Sequence, residues 1–65
     1  MEKYEFFKIE EHKFRFDTDA DGWHELDWFD VDCDIWRTVD STSIKSDLME
    51  IANNYLEAKK DNPHC

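Results

Sequence analysis

Between Asp17 and Asp34 the chain carries eight acids and no Lys or Arg, and this stretch limits what the rest can fold into. It reads DTDADGWHELDWFDVDCD, so the acids are Asp17, Asp19, Asp21, Glu25, Asp27, Asp30, Asp32 and Asp34. The segment before it balances four acids against four bases, and the segment after it has five acids and four bases. Nearly all of the net charge of −9 therefore sits in one place. Trp23, Trp28 and Phe29 are threaded through the block and Trp36 follows it. Disordered acidic segments are poor in aromatics. Acids on an aromatic frame predict a folded, negatively charged surface.

The turn signals divide this block. Asp21-Gly22 holds the chain's single glycine, and Asp-Gly favours positive φ and tight hairpin turns. Upstream, Lys3 to Ile9 is aromatic-rich and predicts a first strand. Lys13 to Asp19 alternates, with Phe14, Phe16 and Thr18 on one face, the period of a half-buried strand. A third strand is expected to start near Trp23. The run from Trp23 to Val39 has no Gly or Pro and is too long for one ordinary strand. Phe29, Val31, Cys33 and Ile35 alternate there with Asp30, Asp32 and Asp34, and Trp28 and Trp36 bracket the acids on the same side. That pattern predicts a strand with the three aspartates as a ladder on one face, about 7 Å apart. Trp23 and Leu26 fall out of this register, so a bulge, a bend or a short helical turn is expected between Glu25 and Asp27.

Ser41-Thr42-Ser43 predicts a helix cap. Ile44, Leu48, Ile51, Ala52, Tyr55 and Leu56 follow at spacings of three and four, the stripe of an amphipathic helix. Lys59 and Lys60 suit its C-terminal end, Asn62-Pro63 stops it, and the tail from Asp61 to Cys65 is expected to fray. The fold class is α+β: one domain over residues 1–65, with a small antiparallel sheet of three to four strands and one C-terminal helix on one face.

Length and composition bound the function. A 65-residue chain is marginal alone and invites dense aromatic packing or a homodimer. Its ten aromatics are a high load. No basic-then-apolar leader and no membrane-length apolar run stand in the sequence. Cys33 and Cys65 make no framework; a bridge between them is unforced, and the default setting is reducing and cytoplasmic. The acidic balance argues against direct binding to nucleic acid or an anionic membrane, and for a basic partner.

Two chemistries compete for the acids. Asp17-Thr18-Asp19-Ala20-Asp21-Gly22 matches the first six positions of a calcium loop, D-x-D-x-[DN]-G. Its twelfth position would be Trp28, where such a loop needs a bidentate Glu, and Phe14 and Phe16 predict an incoming strand where it needs a helix. Asp17, Asp19 and Asp21 are thus weak metal candidates beside the plainer reading of an acidic hairpin tip. The Asp30, Asp32 and Asp34 ladder has a spacing comparable to that of phosphates along a nucleic-acid strand. Its plain alternative is a solvated face. His12, His24, His64 and the cysteines lack zinc-finger spacing, the serines lack a nucleophile elbow, and no cofactor motif is present. No enzyme is expected.

Asp21-Gly22-Trp23, Phe29-Asp30, Cys33 and Thr42, in an order of hairpin, turn, aromatic strand, cap and helix, resemble HicB-type antitoxin domains across about residues 3–58. Val31 and Asp32 stand where that family has Pro and Gly. The resemblance implies a three-stranded sheet plus helix that covers a small basic RNase toxin. Charge and resemblance give one expectation: an inhibitor, of the kind used by phages or mobile elements in a host cytoplasm, that blocks a basic nucleic-acid-binding protein or nuclease. Asp17, Asp19, Asp21, Glu25, Asp27, Asp30, Asp32 and Asp34 would supply the charge, with Trp28 and Trp36 as anchors.

Overall fold

In the computed structural model, residues 4–61 are described, with side chains through residue 59. Four strands, β1 (Glu5–Ile9), β2 (His12–Thr18), β3 (His24–Asp30) and β4 (Ile35–Thr42), precede one helix, α1 (Asp47–Asp61). The strands form an antiparallel meander in the order β1-β2-β3-β4. The helix packs on one face against β3 and β4. The fold class is therefore α+β, a four-stranded sheet with a C-terminal helix.

Period-two alternation decides which face each strand buries. Phe14, Phe16, Leu26 and Trp28 turn inward and meet Leu48 and Ala52 from the helix. Phe7, Ile9, Val39, Ile51, Tyr55 and Leu56 pack around them. Phe7 stacks on Phe14 at 5.3 Å between ring centroids, and Trp28 meets Tyr55 at 5.5 Å. Among the described residues, no element covers the opposite face. It presents Phe6, Arg15, Asp27, Phe29 and Trp36.

The predicted strand through Asp30, Asp32 and Asp34 is absent. β3 ends at Asp30, and residues 31–34 form a turn. The cause is the Asp30 side chain. Its Oδ1 accepts the backbone N–H of Asp32 (3.2 Å) and Cys33 (3.3 Å), offering the backbone an alternative to a strand partner. The Asp34 N–H closes the turn onto the Asp30 carbonyl at 2.7 Å. Asp34 takes a φ of 59°, a left-handed conformation that Asp tolerates better than most residues. Val31, placed by the alternation on an apolar face, is 74% exposed.

Two boundaries also move. Register shifts between Leu26 and Asp27 against β4, where Leu26 pairs with Asp40 and Asp27 with Thr38, leaving Val39 as the extra residue. The expected irregularity is real, and the inserted residue belongs to β4. Ser41 and Thr42 end β4 instead of capping the helix, and the Thr42 hydroxyl accepts the Ile44 N–H at 3.1 Å. The helix starts at Asp47, with Asp47 and Glu50 in its first turn, where its dipole favours anions. Ile44, the first member of the predicted stripe, lies outside the helix and is exposed. The expected fraying of the tail beyond Asp61 falls outside the described residues.

The displaced stripe separates two substitutions. Leu48→Ala removes a buried side chain and should lower the unfolding free energy by about 2–5 kcal/mol. Ile44→Ala should stay within about 0.5 kcal/mol. Urea denaturation of both variants measures this, and equal losses would contradict the helix start at Asp47.

Candidate acidic interface

Of the eight acids two are buried, Asp17 is half-buried and five are exposed. Asp27 is 6% exposed and Asp30 is 1% exposed. Each meets an arginine from a neighbouring strand: Arg15 Nε donates to Asp27 Oδ2 at 2.9 Å, and Arg37 Nε donates to Asp30 Oδ2 at 2.8 Å. Charge-assisted bonds of this length are among the stronger hydrogen bonds in proteins. The hydrogen bond from Arg37 holds the Asp30 carboxyl below its ordinary value. Burial opposes this, and the Cys33 N–H, the Arg37 charge and the Asp32 N–H reinforce it. Burial pushes the neighbouring Tyr55 phenol up.

The Arg15–Asp27 pair lies on the open face under a lid of rings. The Arg15 guanidinium sits 4.0 Å from the Tyr4 ring centroid and 4.4 Å from that of Trp36. Trp36 also meets Phe29 at 5.1 Å and Phe6 at 6.0 Å. Asp27 Oδ1 has no hydrogen-bond partner among the described residues, a cost that the Arg15 bond offsets.

These placements revise the expected site. Trp28 and Trp36 do not share a face; Trp28 is core and Trp36 belongs to the open face. Asp27, Asp30 and Trp28 are too buried to touch a partner. Asp32 and Asp34 are exposed, but on a turn and not in a ladder with Asp30. Asp17, Asp19, Asp21 and Glu25 do come together, around the β2–β3 turn. Asp17 and Glu25 are direct cross-strand neighbours, and Asp19 and Asp21 continue from them into the turn.

Asp19 organises that turn. Its Oδ1 accepts the backbone N–H of Asp21 (2.9 Å) and Trp23 (3.0 Å), and its backbone exchanges bonds with Trp23 and Gly22. Gly22 has φ 89°, as the Asp-Gly signal predicts. The same bonds engage the Asp19 carboxylate that a calcium loop would turn onto a cation. The turn also presents Trp23, which the sequence pattern does not mark as an anchor. It is 49% exposed, on backbone held by Asp19. Its position directly after Asp-Gly is the available signal, since a residue leaving a tight turn has few neighbours to bury it.

Histidines and cysteines take other places. His24 Nδ1 lies 2.7 Å from Thr18 Oγ1 beside the acidic turn, and His64 is outside the described residues. Cys33 is disulfide-bonded, where the sequence leaves a bridge unforced, and Arg37 Nη2 approaches its Sγ at 3.6 Å. The sequence has one other cysteine, Cys65, outside the described residues. An open cavity of about 510 Å³ lies between the β1–β2 turn, the β3–β4 turn and the helix, lined by residues that include Ile9, Trp28, Asp32, Leu56 and Lys59. No helix among the described residues is long and apolar enough to cross a membrane.

No protein-family model, no curated protein and no solved structure matches this chain.

The lowered Asp30 value sets a pH dependence. A carboxyl whose folded value lies below its unfolded value adds stability that is present above the ordinary carboxylate range, about pH 4. That stability is lost as pH falls through the lowered folded value. Asp30→Asn should melt below the parent at neutral pH, and the gap should narrow on acidification. Thermal melts between neutral and acid pH measure it; a gap independent of pH would remove the carboxylate's charge from the account.

Proposed function

We propose that this chain is an acidic binding protein whose β2–β3 turn docks on the basic surface of a nucleic-acid-binding protein or nuclease, in the place of phosphates. The observation that carries the reading is Trp23, exposed on the turn that also carries Asp19 and Asp21 and that follows the Asp17–Glu25 cross-strand pair, with no Lys or Arg in the sequence between Asp17 and Asp34. Binding hot spots favour tryptophan, and rim charges steer encounter. Asp19 fixes the turn through its backbone bonds, so little ordering remains to be done on binding. A basic groove filled this way is closed to nucleic acid, so the consequence is inhibition. The small basic RNase implied by the antitoxin-like sequence order is one member of that partner class.

Support comes from charge as well as shape. Asp27 and Asp30 are neutralised internally by arginines, whereas the acids of the turn have no ion pair among the described residues. Uncompensated like charges destabilise a monomer, and a basic partner relieves them.

Charge and anchor should separate in kinetics. Asp19→Asn with Asp21→Asn keeps the side-chain carbonyl that Asp19 uses in the turn and removes both charges. Against a basic nucleic-acid-binding partner this variant should associate more slowly and lose much of its salt dependence. Trp23→Ala should instead raise the dissociation rate. Surface-binding kinetics at two salt concentrations measure both. Unchanged kinetics in folded variants would remove the turn from the interface.

A further inference from the structure

The open face of the sheet carries two like-charge pairs of opposite sign. Lys8 and Lys13 are direct cross-strand partners between β1 and β2. Asp17 and Glu25 are direct cross-strand partners between β2 and β3. None of these four side chains has an ion pair among the described residues. Like charges directly opposite each other destabilise a sheet, so the monomer bears the cost twice on one face. Lys13 and Asp17 lie four residues apart on β2, about 14 Å along the strand. Arg15 is midway between them, and its charge is already balanced by Asp27.

Beside the charged rows the face is aromatic. Phe6 is 59% exposed, Trp36 and Phe29 lie beside it, and no element among the described residues covers them. Interface centres are rich in aromatics and Arg, with charges toward the rim. On a chain of net charge −9, this face brings cations and anions into balance and sorts them to opposite ends.

We infer that the open sheet face pairs with the same face of a second copy of this chain. A two-fold axis lying across the strands at Arg15 sets Lys13 opposite Asp17 of the second copy, and Asp17 opposite its Lys13. The same operation brings Phe6 against its own copy. One member of each like-charge pair, Lys13 or Asp17, then meets an opposite charge, and an isologous contact supplies this relief at both ends at once. Asp17 and Glu25 also flank the turn proposed for the basic partner, whereas Asp19, Asp21 and Trp23 lie beyond the strand pairing, so those three tell the two contacts apart.

Sedimentation equilibrium of the purified full chain, with no partner present, tests the contact. The parent should show a concentration-dependent mass of two chains, and a chain that stays monomeric up to about 1 mM overturns the inference. Lys8→Glu with Lys13→Glu should be monomeric, and so should Asp17→Lys with Glu25→Lys. An equimolar mixture of the two should regain the two-chain mass, because each then supplies the charge the other lacks. A dimer that survives the first charge reversal, or a mixture that stays monomeric when both variants are folded, overturns it as well. Should a reversal prevent folding, Lys8→Gln with Lys13→Gln decides instead. It should raise the melting temperature of the dilute monomer by removing repulsion, while weakening the dimer at least about tenfold. An unchanged dimer in that variant contradicts the contact. Binding of the basic partner is read separately through Asp19, Asp21 and Trp23.

Discussion

β3 is tied to both of its neighbours by buried carboxylates, one on each face of the sheet. Asp27 reaches Arg15 on β2 across the open face, and Asp30 reaches Arg37 on β4 across the helix face. A buried carboxylate without a partner is strongly unfavourable, so each pair admits few arrangements of the strands around it. Asp30 does more than pair: it accepts two backbone N–H groups and so sets where β3 stops and how the chain returns as β4. The Arg15–Asp27 pair in turn needs the rings of Tyr4 and Trp36, which keep the open face aromatic.

This arrangement divides the acid block by task. Two of its eight members hold the sheet together, and their charge is cancelled inside the fold. The others remain at the surface and give the protein its electrostatic character. Four of them gather at the β2–β3 turn, where Trp23 supplies the apolar contact that charge alone lacks. In a small domain with few core residues, using acids both as fold determinants and as surface is a way to hold a sheet without a larger core.

Much of the fold was legible in the sequence. The alternation of Phe14 and Phe16, the Asp-Gly turn and the helix spacing of Leu48, Ile51, Ala52 and Tyr55 each report one local constraint, and each holds. The central run failed because two signals with the same period competed. Phe29, Val31, Cys33 and Ile35 alternate as a strand would, yet Asp30 begins a side-chain-to-backbone turn that no periodicity records. The burial of Asp27 and Asp30 was illegible for a related reason: it depends on Arg15 and Arg37, 12 and 7 residues away, meeting them across strands. The candidate site shifted accordingly, from a ladder with Trp28 and Trp36 to a turn with Trp23.

The division of the acids into fold-holding and surface members is tested most directly by neutralising them one at a time. Asp17, Asp19, Asp21, Asp27, Asp30, Asp32 and Asp34 would each be changed to Asn and Glu25 to Gln, with unfolding free energies measured in urea at neutral pH. Only Asp27→Asn and Asp30→Asn should lose stability; the other six should match the parent or exceed it as self-repulsion falls. A uniform response across all eight, or a larger loss at Asp32 or Asp34 than at Asp30, would contradict the account.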